Sequence, residues 1–400
     1  MQLLDLPLDI FKIVVAFTVR ELGLKESMKA RLTCRILADE ILDAVIKTGV
    51  IEEVVSPESP QIRLVRISYH YDVIARYLYH RVCTDDPVTH AWIVTIRETC
   101  RTLAQQTNSE KNTERVELLQ RSACLCLAVN AVYSVFGILS GDAKDDRIEL
   151  EGDTSANRFA LAVWLGDMTL VESFTQEMDP DPRSFFGRPS WAAAAQGHVH
   201  ILQFLLNRGA LPYNPTFSEG YAFLPSKSSL TVAAYMGHEN ITRLYLQPPH
   251  YCPEVRKEEG SAIMYAAQGN QPATLKCLLE HYQSISTPLE YLRTIDGALV
   301  WSCRRGAAKS VRILLDLGAD VNESDRGPRS CLQLAAVAGD TQVVKMLLIA
   351  GASLEPDSWI HCRTSTESVQ RRRQKSALVE ARARDNHEIT RLIANASRAE

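Results

Sequence analysis

Three pairs of residues with large side chains stand directly ahead of a glycine: Trp164–Leu165 before Gly166, Tyr235–Met236 before Gly237 and Arg304–Arg305 before Gly306. Aromatic rings, a thioether and guanidinium groups are the side chains that carry most of the energy where one protein surface meets another. Trp164, Tyr235, Met236, Arg304 and Arg305 are therefore candidate partner contacts, with packing onto neighbouring loops as the alternative use of the same side chains. Bond-making chemistry has no comparable set. The chain contains no His-Glu-x-x-His, no Gly-x-Ser-x-Gly and no glycine-rich phosphate loop. Its ten cysteines, at positions 34, 83, 100, 124, 126, 252, 277, 303, 331 and 362, lack the paired spacing of metal ligands, and several fall in apolar helical patterns. Cys124 and Cys126, one residue apart on an apolar helix, face different directions and cannot share a metal. His198 and His238 each follow a glycine at one place in a recurring pattern, where a structural hydrogen bond is expected in preference to metal ligation. The expectation is no catalytic residue, no metal and no cofactor.

Composition agrees. Of 400 residues, 46% are hydrophobic and 23% charged, the balance of a soluble globular chain of about two or three structural units. The net charge of -4, with both signs interspersed, is not the basic footprint of a nucleic-acid binder, which leaves protein partners. Met1-Gln2-Leu3-Leu4-Asp5 has no basic segment before an apolar run, so an intracellular, reducing compartment is expected, cytoplasm or nucleus. The uncharged segment from Ser122 to Gly141 is long enough to span a bilayer, but Asn130, Ser134 and Gly137 interrupt it. A buried helix is the reading preferred over a membrane span.

The elements that position these residues recur. Two small residues, two variable ones, a glycine, a polar residue and then an apolar helix form the pattern. It runs Ala193-Ala194-Ala195-Gln196-Gly197-His198 into Ile201-Leu202, Ala233-Ala234-Tyr235-Met236-Gly237-His238 into Ile241, and Ala335-Ala336-Val337-Ala338-Gly339-Asp340 into Val343-Val344. Weaker copies place Gly166, Asn270, Gly306 and Arg384 at the glycine position, giving spacings of 31, 40, 33, 36, 33 and 45 residues, a base period near 33 with insertions. A glycine there ends the first helix in the left-handed conformation, for which Asn270 is the best substitute. Val343, Val344, Leu347 and Leu348 have the spacing of a buried helical face. One such unit cannot bury that face alone, so the copies must stack.

These motifs resemble the ankyrin repeat family over about residues 157 to 396, reinforced by Gly209-Ala210, Gly318-Ala319-Asp320-Val321-Asn322 and Gly351-Ala352. The resemblance implies an all-α fold: a solenoid of about six to seven degenerate helix-turn-helix repeats, with the two variable residues turned to the concave side. The usual Thr-Pro-Leu-His opening is eroded to Arg188-Pro189-Ser190-Trp191 and Ser330-Cys331-Leu332-Gln333. Long insertions are expected at about 208–227, 247–259, 280–295 and 353–374, as binding elements or irregular loops.

The first 46 residues differ. After Leu6-Pro7, Ile10, Ile13, Val14 and Phe17 line one face at helical spacing. A break is expected at Gly23, and Met28, Leu32, Ile36, Leu37 and Ile41 then form a second pattern around Cys34-Arg35. This stretch looks like an F-box, with Asp9 where that family most often has Glu and Thr33 where it commonly has Val. The resemblance implies that Leu6, Pro7, Ile10, Ile13 and Val14, completed by Leu32 and Ile36, contact a Skp-type adaptor of a cullin ubiquitin ligase. The alternative is that they pack back onto the following segment. The expected organisation is an F-box-like segment at 1–46, a helical spacer or cap at 47–150 and the repeat array at 157–396. Together these make a receptor that brings a protein target to a ligase, or else an ankyrin scaffold with a helical cap and no ligase role. Arg371-Arg372-Arg373-Gln374-Lys375 reads as a solvated loop or as an import signal.

Overall fold

A computed structural model describes residues 8–30, 35–48, 71–84, 91–107, 112–130, 154–213, 228–323, 329–354, 376–382, 384 and 386–398. These are overwhelmingly α-helical and fall into two compact units, Met1–Ala192 and Ala193–Glu400.

In the first unit, α1 (Leu8–Ala30) buries Phe11, Val15 and Val19 and packs on α2 (Arg35–Lys47), which buries Ile41, Leu42 and Val45. The break expected at Gly23 is absent, because α1 runs through it. An interior glycine costs a helix only about 1 kcal/mol, less than the packing on both sides supplies. Three further helices follow: α3 (Tyr71–Cys83), α4 (Ala91–Gln106) and α5 (Thr113–Asn130). Arg97 of α4 ties off α3, donating from Nε to the Val82 carbonyl (2.9 Å) and from Nη2 to the Thr84 carbonyl (2.9 Å). This is the cation at a helix C-terminus that orphan carbonyls favour.

The uncharged segment from Ser122 is the second half of α5 as far as Asn130, and its continuation to Gly141 lies outside the described residues. Leu119, Ala123, Cys124, Cys126 and Leu127 of α5 are buried. No described helix is long and apolar enough to cross a membrane.

α6 (Thr154–Leu165) and α7 (Met168–Glu177) form the first repeat pair, and α4 and α5 pack directly on α6. Asp181 prepares the next pair by accepting from the Ser190 backbone N–H (2.7 Å) at the start of α8 (Pro189–Gln196).

The second unit continues with α9 (Val199–Asn207), α10 (Ser229–Met236), α11 (Glu239–Tyr245), α12 (Pro253–Gln268), α13 (Pro272–Ile285), α14 (Pro288–Arg305) and α15 (Ala308–Asp316). It ends with α16 (Cys331–Ala338), α17 (Thr341–Ile349), α18 (Ala377–Arg382) and α19 (His387–Ala396). Contacts run along two layers, α10 to α12 to α14 to α16 to α18, and α11 to α13 to α15 to α17 to α19. This is the all-helical ankyrin solenoid that the sequence pattern implies.

One backbone device closes the first helix in six of the described repeats. The N–H after the turn residue donates to the carbonyl five positions back: Asp167 to Ala162, His198 to Ala193, His238 to Ala233, Gln271 to Ala266, Ala307 to Ser302 and Asn386 to Ala381, all between 2.9 and 3.1 Å. Each accepting residue is small and completely buried. Turn residues Gly166, Gly197, Gly237, Gly306 and Gly339 have φ between 68° and 86°, and Asn270 follows at 57°. In the last repeat the cap is Asn386, two positions after Arg384, so Arg384 does not hold the turn position.

Two of the expected insertions prove to be helix. Residues 253–259 are the start of α12, and 280–295 are the end of α13 and the start of α14, so these three helices are lengthened instead of being linked by irregular loops. The extension is fastened by a buried carboxylate. Glu259, completely buried, meets His281 Nδ1 at 2.7 Å and accepts from Tyr251 Oη at 3.3 Å. Burial raises its pKa, with His281 the main opposing influence. The insertion at 208–227 from position 214 onward, and that at 353–374 from position 355 onward with the basic cluster at 371–375, lie outside the described residues.

Candidate interaction surfaces

The first surface is on α1. Ile10, Ile13 and Phe17, at i, i+3 and i+7, are 50%, 68% and 65% exposed, while Val14 among them is half-buried. The inward face, Phe11, Val15 and Val19, is already satisfied within the unit. The exposed row therefore is a second apolar face on one helix. Of the remaining sequence-derived contacts, Leu6, Pro7 and Leu32 lie outside the described residues, as does the side chain of Ile36.

The second surface lies on the first-helix layer of the repeats. Trp164 is not on it: the ring is 4% exposed and stacks on Trp191 with centroids 6.1 Å apart, so its role is to fill the first unit. Tyr235, Met236, Arg304 and Arg305 are half-buried at the ends of α10 and α14. Arg305 Nη2 comes within 3.5 Å of Tyr235 Oη, although the two belong to repeats 70 residues apart. Gly269 occupies the equivalent place just after the intervening α12 and leaves the way open. A Cβ there would lie 2.2 Å from the Tyr235 carbonyl oxygen, so only glycine fits. That carbonyl also accepts from Gln271 Nε2 (3.3 Å), and one repeat earlier the Ala195 carbonyl faces His238 Nε2 at 3.0 Å. The residues after these two turns, His238 and Gln271, thus reach back to the preceding repeat, which makes His238 the structural hydrogen-bonding group expected.

Sequence reasoning missed two members of this surface. Trp301 stands one turn before Arg304, whose guanidinium lies 4.7 Å over its ring. That spacing was available as a signal, but the residue lies outside the two-residue window before the glycine. In the sequence Asn270 is legible only as a turn residue. Its Oδ1 in addition accepts the backbone N–H groups of Lys309 (3.0 Å) and Ser310 (3.2 Å), capping α15 of the next repeat, whose own cap residue, Ala307, has no side-chain acceptor. The thiols are poor sites for chemistry: burial pushes Cys100 up to about 12, and Cys124, Cys126 and Cys303 are raised for the same reason. Among the described residues no three His, Cys, Asp or Glu side chains are grouped to hold a metal.

Against known proteins, the family model for ankyrin repeats (three copies) matches residues 230–325 and again 263–358, spanning α10 to α17. The ankyrin repeat and SOCS box protein 6 of Homo sapiens, and that of Pongo abelii, are each 26% identical to this chain over 196 residues, 44% of this chain and 42% of the relative. The chain thus spans about two fifths of the length of these curated relatives. Among solved structures, the human ASB11 ankyrin repeat domain is 18% identical, with a TM-score of 0.41 over 60% of this chain and 96% of that one. The ankyrin repeat domain of Bcl-3 is 21% identical, with a TM-score of 0.38 over 60% and 99%.

Proposed function

We propose that this chain is a substrate receptor with two working ends. One is α1, which docks a Skp-type adaptor of a cullin ubiquitin ligase; the other is the ankyrin stack, which holds the protein to be delivered. The observation that carries the adaptor reading is the uncovered row of Ile10, Ile13 and Phe17 on a helix whose other face is already packed. An apolar row of this kind, with no charge in it, suits a dry and lasting contact. The printed name of the relatives, which couples ankyrin repeats to a separate SOCS box, supports a layout in which repeats are joined to a second interaction element. Such a receptor works in the cytoplasm or nucleus and performs no catalysis of its own.

A second reading has its own observation. Helices α4 and α5 pack against α6 and so cover the first repeat as a cap, and a scaffold without any ligase role needs no more than that. The two readings separate on α1. Purified full-length chain is passed over immobilised Skp-type adaptor and compared with the Ile13→Glu, Phe17→Glu variant. Both side chains are exposed, so the variant retains the wild-type fold and melting temperature. Retention of wild type and loss of the variant supports the receptor. No retention of wild type leaves the capped scaffold.

A further inference from the structure

We infer that the first unit holds a small-molecule site: a groove lined by α2, α3 and α5 takes a flat apolar molecule that carries one acidic group. The inference goes beyond the receptor reading, which rests on α1 and on the repeats. Along α3, Asp72, Ala75, Arg76, Tyr79, His80 and Cys83 follow at i, i+3, i+4, i+7, i+8 and i+11, so all six stand on one face and line the groove. Its volume is about 560 Å³, within the range of about 300–1,000 Å³ typical of ligand pockets, which are often found between packed helices.

The lining has an apolar part and a charge of one sign left to satisfy. Ile46 of α2, Leu125 of α5, Ala75 and the Tyr79 ring make up the apolar part, all of them buried or half-buried. Both carboxylates are already served. Asp43 of α2 accepts from Lys47 Nζ at 2.7 Å, and Asp72 stands in the first turn of α3, where the unpaired N–H groups of a helix start favour a negative charge. The cations are served less well. Arg76 is exposed and, among the described residues, has no ion-pair or hydrogen-bond partner, Asp72 one turn away included. Arg121 of α5 lies 4.9 Å from the centre of the Tyr79 ring and comes only within 3.7 Å of the exposed Glu117.

These features select the ligand. A carboxylate, sulfonate or phosphate is the group that pairs with a guanidinium, and Arg76 has its donors to give. The ligand's body must be apolar, since Ile46, Ala75, Leu125 and the Tyr79 ring release water only to an apolar surface with gain. Its size must be small. A partner helix, about 10 Å across and rising about 5.4 Å per turn, would fill this volume in little more than one turn, too short a segment to dock. Cys83, exposed at the end of α3, shares the lining, and its thiol hydrogen-bonds with Tyr79, so it reports whether the groove is filled.

The test uses the full chain and two fluorescent probes that share one ring system: anilinonaphthalene sulfonate, which carries the acidic group, and phenylnaphthylamine, which lacks it. The sulfonate should bind at least about tenfold more tightly than the amine. Arg76→Glu, at an exposed position, should weaken the sulfonate at least about tenfold, leave the Kd of the amine unchanged and keep the wild-type melting temperature. Saturating sulfonate should also slow the alkylation of Cys83 by iodoacetamide, followed by peptide mass mapping, at least about tenfold. Equal affinity of the two probes, an unchanged sulfonate Kd in Arg76→Glu, or alkylation of Cys83 at one rate with and without sulfonate would overturn the inference. So would loss of sulfonate binding in the Ile13→Glu, Phe17→Glu variant, which would place the probe on the α1 row. The receptor reading fails separately, because it is lost when the adaptor does not retain the wild-type chain, whatever the probes do.

Discussion

Helices α1 and α14 each carry a row of side chains along one face, exposed on α1 and mostly half-buried on α14, and the two rows have opposite chemistry. On α1 the row is Ile10, Ile13 and Phe17, without a charge; on α14 it is Arg293, Trp301 and Arg304 around the open Gly297. Their anchoring differs too. α14 begins in a Thr287–Glu290 capping box, ends in the left-handed Gly306, and lies between α12 and α16. Among the described elements, α1 packs chiefly on α2. A helix fastened at both ends and on both sides can vary its outer residues freely, which suits discrimination between partners. One held on a single side gains from a partner that covers the other, which suits a constitutive subunit.

The largest expected effect strikes beneath the α14 row. Gly269→Ala drives a Cβ into the Tyr235 carbonyl and should cost roughly 3 kcal/mol or more, read as a lower urea midpoint for the second unit. If the variant unfolded at the wild-type midpoint, the close approach under Arg305 would not be a constraint.

The next effect concerns the unit that carries α1. Burial raises Asp181 to about 6, against the Ser190 hydrogen bonds and Arg188 that pull it down. The folded state then holds this proton more tightly than the unfolded chain, so its contribution is full below about pH 4 and is lost as pH rises through about 6. Asp181→Asn, whose Oδ1 can still accept from Ser190, should remove that decline and gain on the order of 2–3 kcal/mol at pH 7. Urea titrations at pH 4 and pH 7 measure it. An unchanged pH slope would dismiss Asp181 as its source, and a change in the array's transition instead of the first unit's would undo the separation.

A smaller loss, about 2 kcal/mol, is expected for Asn270→Ala, which puts alanine in the left-handed region and uncaps α15. Asn270→Gly should restore the turn but not the cap and lose about 1 kcal/mol or less. Smallest is Gly297→Ala, a gain of about 0.5–1 kcal/mol by thermal melting, because the added methyl meets open space on a helix. A loss there would mean that the fold itself needs the glycine.

How far these features were legible follows from their physics. The helix-ending glycines, the buried alanines before them and the row on α1 obey local rules of spacing and conformation, and all can be read along the chain. The lengthened α12, α13 and α14 cannot, since a run such as Arg256-Lys257-Glu258-Glu259 looks like a solvated insertion until His281 and Tyr251 are seen to engage Glu259 in the interior. Trp164 is a related case. Its place in the repeat pattern turns it toward the concave side, but whether that place is open or filled depends on Trp191, which comes from another element. The link from Asn270 to Ser310 likewise joins two repeats and leaves no mark in either alone.

The most direct test of the two-ended receptor is hydrogen–deuterium exchange of the full chain with and without a Skp-type adaptor. The account predicts slowed exchange across Leu8–Ala30 and no change in α10 to α19. Protection in the repeats, or none in α1, would contradict it.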